Sequence, residues 1–170
     1  SSTNGSNSGS KEDATEASDS KKATDAKYFE YTVENNEVTI ENFTRSGKEK
    51  EIIVPDKIEG YPVVAVDTNA FCNDEKLEKI KLPSTVRRLG DTVFGNDTNL
   101  VEVNGTENIV EYGTYCFSGT NISELTLSPD IISFGDYGIC IYPKFLNVGD
   151  DLMFNDNFVS FGINSLSNLN

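Results

Sequence analysis

Leu77-Glu78-Lys79-Ile80-Lys81-Leu82-Pro83-Ser84-Thr85-Val86-Arg87-Arg88-Leu89-Gly90-Asp91-Thr92-Val93-Phe94 is one unit of a pattern that fills most of the chain. Its second half holds a frame: apolar residues four positions and one position before a turn residue, then a large apolar residue four after it. Val86, Leu89, Gly90 and Phe94 fill that frame here. The frame returns as Val63, Val66, Asp67, Phe71, as Ile109, Tyr112, Gly113, Phe117, as Ile131, Phe134, Gly135, Ile139 and as Phe158, Phe161, Gly162, Leu166. The turn residues at 67, 90, 113, 135 and 162 are spaced by 23, 23, 22 and 27. A period in the twenties predicts a solenoid, whose units can bury their apolar faces only on each other.

The first half of the unit has the spacing L-x-x-I-x-L. It reads Leu77-Ile80-Leu82, then Leu100-Val103-Gly105, Ile122-Leu125-Leu127 and, less regularly, Phe145-Val148-Asp150. Its last two apolar positions alternate as in a short half-buried strand, so stacking predicts one strand per coil and one parallel sheet. Pro55, Pro83 and Pro129 end these strands without removing a central ladder donor. A sharp turn must recur at a fixed place in each coil, and glycine adopts left-handed backbone cheaply. Asp67, the exception in that column, belongs to the residues that tolerate such backbone best. Two insertions interrupt the period: Lys57 to Pro62 in the first unit, and about four residues around Asp151 to Asn157 in the fifth. Loops of this kind are where binding residues tend to sit.

Ahead of the array, Tyr28 to Phe43 alternates in two runs around Glu34-Asn35-Asn36-Glu37, the pattern of a hairpin. A solenoid exposes its first apolar layer unless something covers it, so residues 28–47 are expected to cap the array. Ser1 to Lys27 contains seven Ser and no Val, Ile, Leu or aromatic residue. It cannot offset the entropy of ordering, and is read as a disordered tether reaching about 30 Å. Such a start suits an exported protein, held to the envelope by a lipid anchor upstream. Residues 48–170 form the solenoid proper. After Leu166 no helix or hairpin is evident, so a degenerate cap, pairing with another copy or further repeats would each cover the last coil. The expected state is a monomer or a weak dimer through that coil.

Composition narrows the function. The net charge is -14, from 14 Lys+Arg against 28 Asp+Glu. This opposes nucleic acid and anionic membrane surfaces, which bind through cationic side chains. The chain has no histidine, which removes the commonest general base and the most frequent zinc ligand together. Cys72 and Cys140 share a column but lie three coils apart, beyond disulfide reach at about 4.8 Å per strand-paired coil. Cys116 falls among small residues, so all three are read as buried structural thiols.

The run Ile52-Ile53-Val54-Pro55-Asp56-Lys57-Ile58-Glu59-Gly60-Tyr61-Pro62-Val63, followed by Asn69-Ala70-Phe71-Cys72 and by Leu77 to Gly90, resembles the BspA-type leucine-rich-repeat family of bacterial surface proteins. The resemblance covers about residues 28–170. It departs at Asn104-Gly105, where a leucine and a proline are missing, and throughout Asp150 to Phe158. It implies a leucine-rich-repeat solenoid of α/β-type repeats, built mainly from short parallel strands and turns. About five coils are expected, with the hairpin as N-terminal cap. It further implies export, surface display and non-catalytic adhesion or binding, the strand face lining the concave side, with no cofactor and no catalytic residue to carry over.

On the strands, the side chains directed away from the core are expected to be Glu51 and Ile53, Lys79 and Lys81, Glu102 and Asn104, Glu124 and Thr126, and Asn147 and Gly149. All of these except Gly149 are the candidate ligand-binding residues. The face mixes both charge signs and has few aromatics, the usual anchors of protein and sugar sites. Asp150, Asp151, Asn155, Asp156 and Asn157 gather oxygen donors, but lack the Gly and terminal Glu of a calcium loop, so no metal site is assigned. The expected partner is an extracellular protein or glycan; the competing reading is a structural spacer that binds nothing specifically.

Overall fold

Leu77, Ile80 and Leu82 are each at most 1% exposed, while Lys79 and Lys81 point to solvent, the alternation of a half-buried strand. This strand is repeated coil after coil in a computed structural model of the chain that describes residues 21–141, 146–149, 160–162 and 164–166. In chain order the strands are β1 Phe29–Glu34, β2 Glu37–Phe43, β3 Glu51–Ile53, β4 Lys57–Ile58, β5 Tyr61–Val66, β6 Lys79–Lys81, β7 Arg88–Leu89, β8 Glu102–Asn104, β9 Glu111–Tyr112, β10 Ser133–Phe134 and β11 Ser160–Phe161. Helix among the described residues is confined to one 3-10 turn, Ala26–Tyr28. The expected solenoid is therefore built almost wholly from strands and turns.

The coils of β3, β6 and β8 contribute two strands each, not the single one predicted, and among the described residues the coils of β10 and β11 keep only the second of them. One sheet runs β3-β6-β8, with Glu51, Lys79 and Glu102 in register and an isolated parallel bridge from Glu124 to Asn147 further along. The other runs β1-β2-β5-β7-β9-β10-β11, with β4 beside β5. Its strands β7, β9, β10 and β11 span two residues each, too short to show a period of two in the sequence. They coincide with the residue one before the turn position of the frame. The frame residues fill the core: Val63, Val86, Ile109, Ile131, Phe94, Phe117 and Ile139 are all 0% exposed. Phe71, Phe94 and Phe117 stack along the array, with ring centroids 5.7 and 5.6 Å apart.

The hairpin forms as expected, turning at Asn35 and Asn36, both at positive φ (50° and 62°) as a tight two-residue hairpin requires. Its second strand pairs in parallel with β5, and Val38 and Ile40 join the core fully buried. Phe29 and Phe43 pack on Phe71, so the first coil's aromatic face is covered. Residues 21–25, assigned to the tether by composition, lie along the outer edge of β3. The Thr24 N–H donates to the Ile53 carbonyl at 2.8 Å, and the Ile53 N–H returns a bond to the Thr24 hydroxyl at 3.0 Å. Lys21 Nζ adds an ion pair to Glu51 at 2.6 Å. Composition hides this contact because it is made by polar groups, one of them on the backbone, and buries no apolar side chain of the segment. Lys57 to Pro62 is a second small hairpin, β4 and β5 turning through Glu59 and Gly60 at φ 54° and 82°.

The glycine column has a different cause from the one predicted. None of Asp67, Gly90, Gly113, Gly135 and Gly162 has left-handed backbone; that conformation falls two residues later, at Asn69, Thr92, Tyr115, Tyr137 and Asn164. What excludes a side chain from the column is the previous coil. A Cβ on Gly90 would lie 2.6 Å from the Thr68 nitrogen, one on Gly113 2.5 Å from the Gly90 carbonyl carbon, and one on Gly162 2.3 Å from that of Gly135. Asp67 heads the column and stacks on β2 of the hairpin, its N–H donating to Ile40, so no earlier turn crowds it. The turn side is further tied by a one-way ladder in which the N–H groups of Asn69, Phe71 and Asn73 donate to Asp91, Val93 and Gly95 of the next coil.

Cys116 is buried with its thiol 3.2 Å from the Gly90 carbonyl, Cys140 is buried, and Cys72 is only half-buried; all three are free thiols. Asp97 is the one carboxylate with no exposed surface among the described residues. Its Oδ1 accepts the Asp74 N–H at 2.8 Å, and its Oδ2 has no hydrogen-bond partner. Burial, reinforced by the Asp74 charge and opposed by the Asp74 N–H and Arg45, raises its pKa to about 8.

Two outcomes are expected. Gly113→Ala forces two backbones apart and costs at least the ~1–3 kcal/mol of an overpacked core, a fall in melting temperature of several degrees, whereas Gly47→Ala, which meets only the flexible Glu49 carboxylate, leaves it unchanged. The folded chain retains a proton on Asp97 that the unfolded chain releases above its ordinary pKa of 3.8, so stability falls as pH rises from there to about 8. Urea midpoints measured across that interval should fall for the native chain and stay flatter for Asp97→Asn, which keeps the acceptor without the charge.

Candidate binding face

The outward residues of β3, β6 and β8 form two columns. Pairing sets Glu51 beside Lys79 beside Glu102, and Ile53 beside Lys81 beside Asn104. Their spacing along the sequence is one period, so a regular array must bring them side by side. In the first column Lys79 and Glu102 satisfy one another, while Glu51 pairs with Lys21. Lys79 Nζ lies 3.2 Å from the Glu102 carboxylate, and the Asn104 amide donates to Glu102 Oε1 at 2.7 Å. The Asn104 hydrogen bond and then Lys79 hold the Glu102 carboxyl below its usual range. Both pairs are solvent-facing and contribute little to stability.

The sheet ends at β8. Coil three departs from the spacing at Gly105, which has φ +88° and comes so close to coil two that a Cβ there would lie 1.9 Å from the Leu82 carbonyl oxygen. The following segment, Ser123 to Thr126, forms no strand against β8; pairing resumes one coil later, where the Leu125 N–H donates to Asn147 at 2.9 Å and the Asn147 N–H to Ser123 at 2.7 Å. A depression of about 410 Å³ opens at the break. Lys79, Glu102, Asn104, Glu124 and Thr126 line it, five of the nine residues expected on the binding face. Ile53, Glu51 and Lys81 lie on the same sheet to one side, and Asn147 pairs with Glu124 on the other. Asp150, Asp151, Asn155, Asp156 and Asn157 fall outside the described residues, as does Ser1 to Ser20.

Sequence reasoning missed Val101 and Ser123, which also line the depression. Val101 is 45% exposed, in a column otherwise filled by Lys50, Glu78 and Ser123. An apolar residue in a polar column was the available signal. The second sheet also presents an outward row, Thr39, Ala65, Arg88, Glu111 and Ser133, which a one-strand coil could not foresee. The arrangement offers hydrogen-bond donors, acceptors and both charges on a fixed spacing. Among the described residues no three His, Cys, Asp or Glu side chains come together in a way that could hold a metal ion, and no helix is long and apolar enough to cross a membrane.

Solved structures with this fold come from several bacteria. A leucine-rich repeat protein of T. pallidum is 22% identical, with 83% of this chain and 82% of that one covered and a TM-score of 0.51. A leucine rich cell surface protein of Faecalibacterium prausnitzii is 20% identical over 90% of this chain and 48% of its own, with a TM-score of 0.62. A leucine-rich repeat protein of Bacteroides ovatus is 21% identical over 80% and 39%, with a TM-score of 0.61. At these identities the likeness concerns the fold, and the chain spans less than half of the latter two. No curated protein shows significant sequence similarity to the chain. The BspA type Leucine rich repeat region matches residues 21–141 in six copies, the same stretch in which the two sheets and the Phe71-Phe94-Phe117 stack are laid down. The chain belongs to the BspA-type leucine-rich-repeat family.

Proposed function

We propose that the chain is a non-catalytic binding module of a bacterial surface protein that engages an extracellular partner through the β3-β6-β8 face. The observation that carries this reading is the depression at the end of that sheet. It gathers Lys79, Glu102, Asn104, Glu124 and Thr126 around Val101, a mostly polar surface with one exposed apolar side chain among them. Regular coils would present a flat solvated sheet there. The paired charges favour a protein partner, whose own charges could replace Glu102 at Lys79 and add a partner to Glu124. Surface display is supported by the family and by the Faecalibacterium protein of the same fold, described as a cell surface protein. Leucine-rich-repeat solenoids of this kind are generally non-catalytic, and the lack of histidine fits that reading.

The test is binding of the chain to immobilised extracellular matrix proteins and glycans at physiological salt. Saturable binding is expected to at least one protein. It should weaken by at least ~10-fold in the Lys79→Glu/Lys81→Glu variant, which sets like charges beside Glu51 and Glu102. Both lysines are exposed, so the variant should keep its melting temperature. Binding unchanged in that variant, or absent throughout, would favour a spacer without a specific ligand.

A further inference from the structure

The strand face lacks aromatic residues, but the turn side of the coils exposes them. Tyr115 and Tyr137 occupy one column of successive coils, their rings stacked with centroids 4.9 Å apart and planes within 6°. Both sit at left-handed backbone, φ 53° and 52°, which is costly for a bulky side chain and persists where the surroundings or a function require it. Asn69, Thr92 and Asn164 fill the same column elsewhere, and asparagine adopts this conformation readily. Tyr115 is 41% exposed.

The stack stops at Tyr115, because the next position toward the N-terminus is the short Thr92. Where another ring would lie there is a groove of about 230 Å³, smaller than the ~300–1,000 Å³ of a drug-sized site and suited to a single ring. Tyr115 and Ser118 form its wall on the coil-three side, and Asn69, Asn73, Thr92 and Asn96, with Cys72 and Gly95 between them, line the rest. None of the residues lining it is charged, in a chain of which a quarter is charged. Thr92 donates its hydroxyl to Asn69 Oδ1, and Asn96 Nδ2 donates to Asn73 Oδ1 at 3.2 Å. These bonds orient the amides and leave Asn69 Nδ2 and Asn96 Oδ1 without a partner among the described residues.

We propose that this groove binds a neutral saccharide. A pyranose ring stacks on the open face of Tyr115, taking the place of the next ring in the column, while the amides of Asn69 and Asn96 and the Ser118 hydroxyl bond its hydroxyl groups. The electron-rich face of the tyrosine attracts the partly positive C–H edges of the sugar. A floor of amides and hydroxyls matches a ligand with a hydroxyl on almost every carbon. An ionic ligand would find no counter-charge, and an aromatic side chain of a protein would leave the amides unpaired.

The full chain should be titrated calorimetrically with maltohexaose, cellohexaose, mannohexaose and chitohexaose. Saturable binding to at least one is expected at or below about 1 mM. Tyr115→Ala should weaken it by at least ~10-fold, while Tyr115→Phe, which keeps the ring, stays within about threefold. Thr92→Tyr should extend the stack, fill the groove and abolish binding with no loss of melting temperature. The Lys79→Glu/Lys81→Glu variant should bind these sugars as the native chain does, which separates this site from the strand face. No saturation with any of the four sugars would overturn the proposal, as would affinity that is unchanged in both Tyr115→Ala and Thr92→Tyr.

Discussion

Everything in this molecule depends on how closely one coil lies on the next. A coil of about 23 residues is too thin to enclose a core, so each buries its apolar side chains on its neighbours. At the turn column the backbones meet directly: a Cβ on Gly90, Gly113, Gly135 or Gly162 would fall 2.3–2.6 Å from the coil before it. That contact sets the spacing at which both sheets pair, at which the turn-side N–H groups reach the next carbonyls and at which Phe71, Phe94 and Phe117 stack. Four glycines thus act as spacers of zero thickness, and their worth lies in the atoms they lack.

Much of this was legible in the sequence, and the reasons for the rest are physical. The frame around Gly90 placed the buried residues correctly because burial acts on side chains, which the sequence displays. Tyr28 to Phe43 showed its hairpin by alternation and by the paired asparagines that the turn needs. The second sheet was invisible because Arg88–Leu89 and its equivalents are strands of two residues, too short to show an alternation, although one residue of each is buried in the core. The edge contact of residues 21–25 was hidden because it is polar and leaves no apolar pattern. The glycine column was found but misexplained, since a glycine required by left-handed backbone and one required by close approach look alike in sequence. The positive φ falls in other columns, two residues later at Asn69, Thr92, Tyr115, Tyr137 and Asn164 and six residues later at Asn73, Asn96 and Gly119.

The strand-face residues were predicted as a list, whereas the structure separates them by the state of the ladder beneath. Around β6 the neighbouring coils are paired on both sides, and the outward lysines sit on a continuous sheet. At β8 the pairing stops on one side, and the same alternation of residues borders a depression. Gly105 accounts for the difference. Without the leucine that occupies its position in neighbouring coils, the chain turns back at φ +88° against Leu82, and Thr106 secures the next segment through its hydroxyl, 2.6 Å from the Thr126 carbonyl.

A regular solenoid presents the same residue type at the same height on every coil, which suits stability and gives no reason for a ligand to prefer one coil to another. Recognition requires that the repeat be broken. Both surfaces proposed to bind a ligand lie at such breaks: one where Val101 replaces a polar residue and Gly105 ends a sheet, the other where a column of rings gives way to Thr92. In each, the flanking regular coils hold the surrounding side chains on a fixed spacing, so the depression is preorganised before anything enters it. The departures from the repeat are therefore where we place its binding sites.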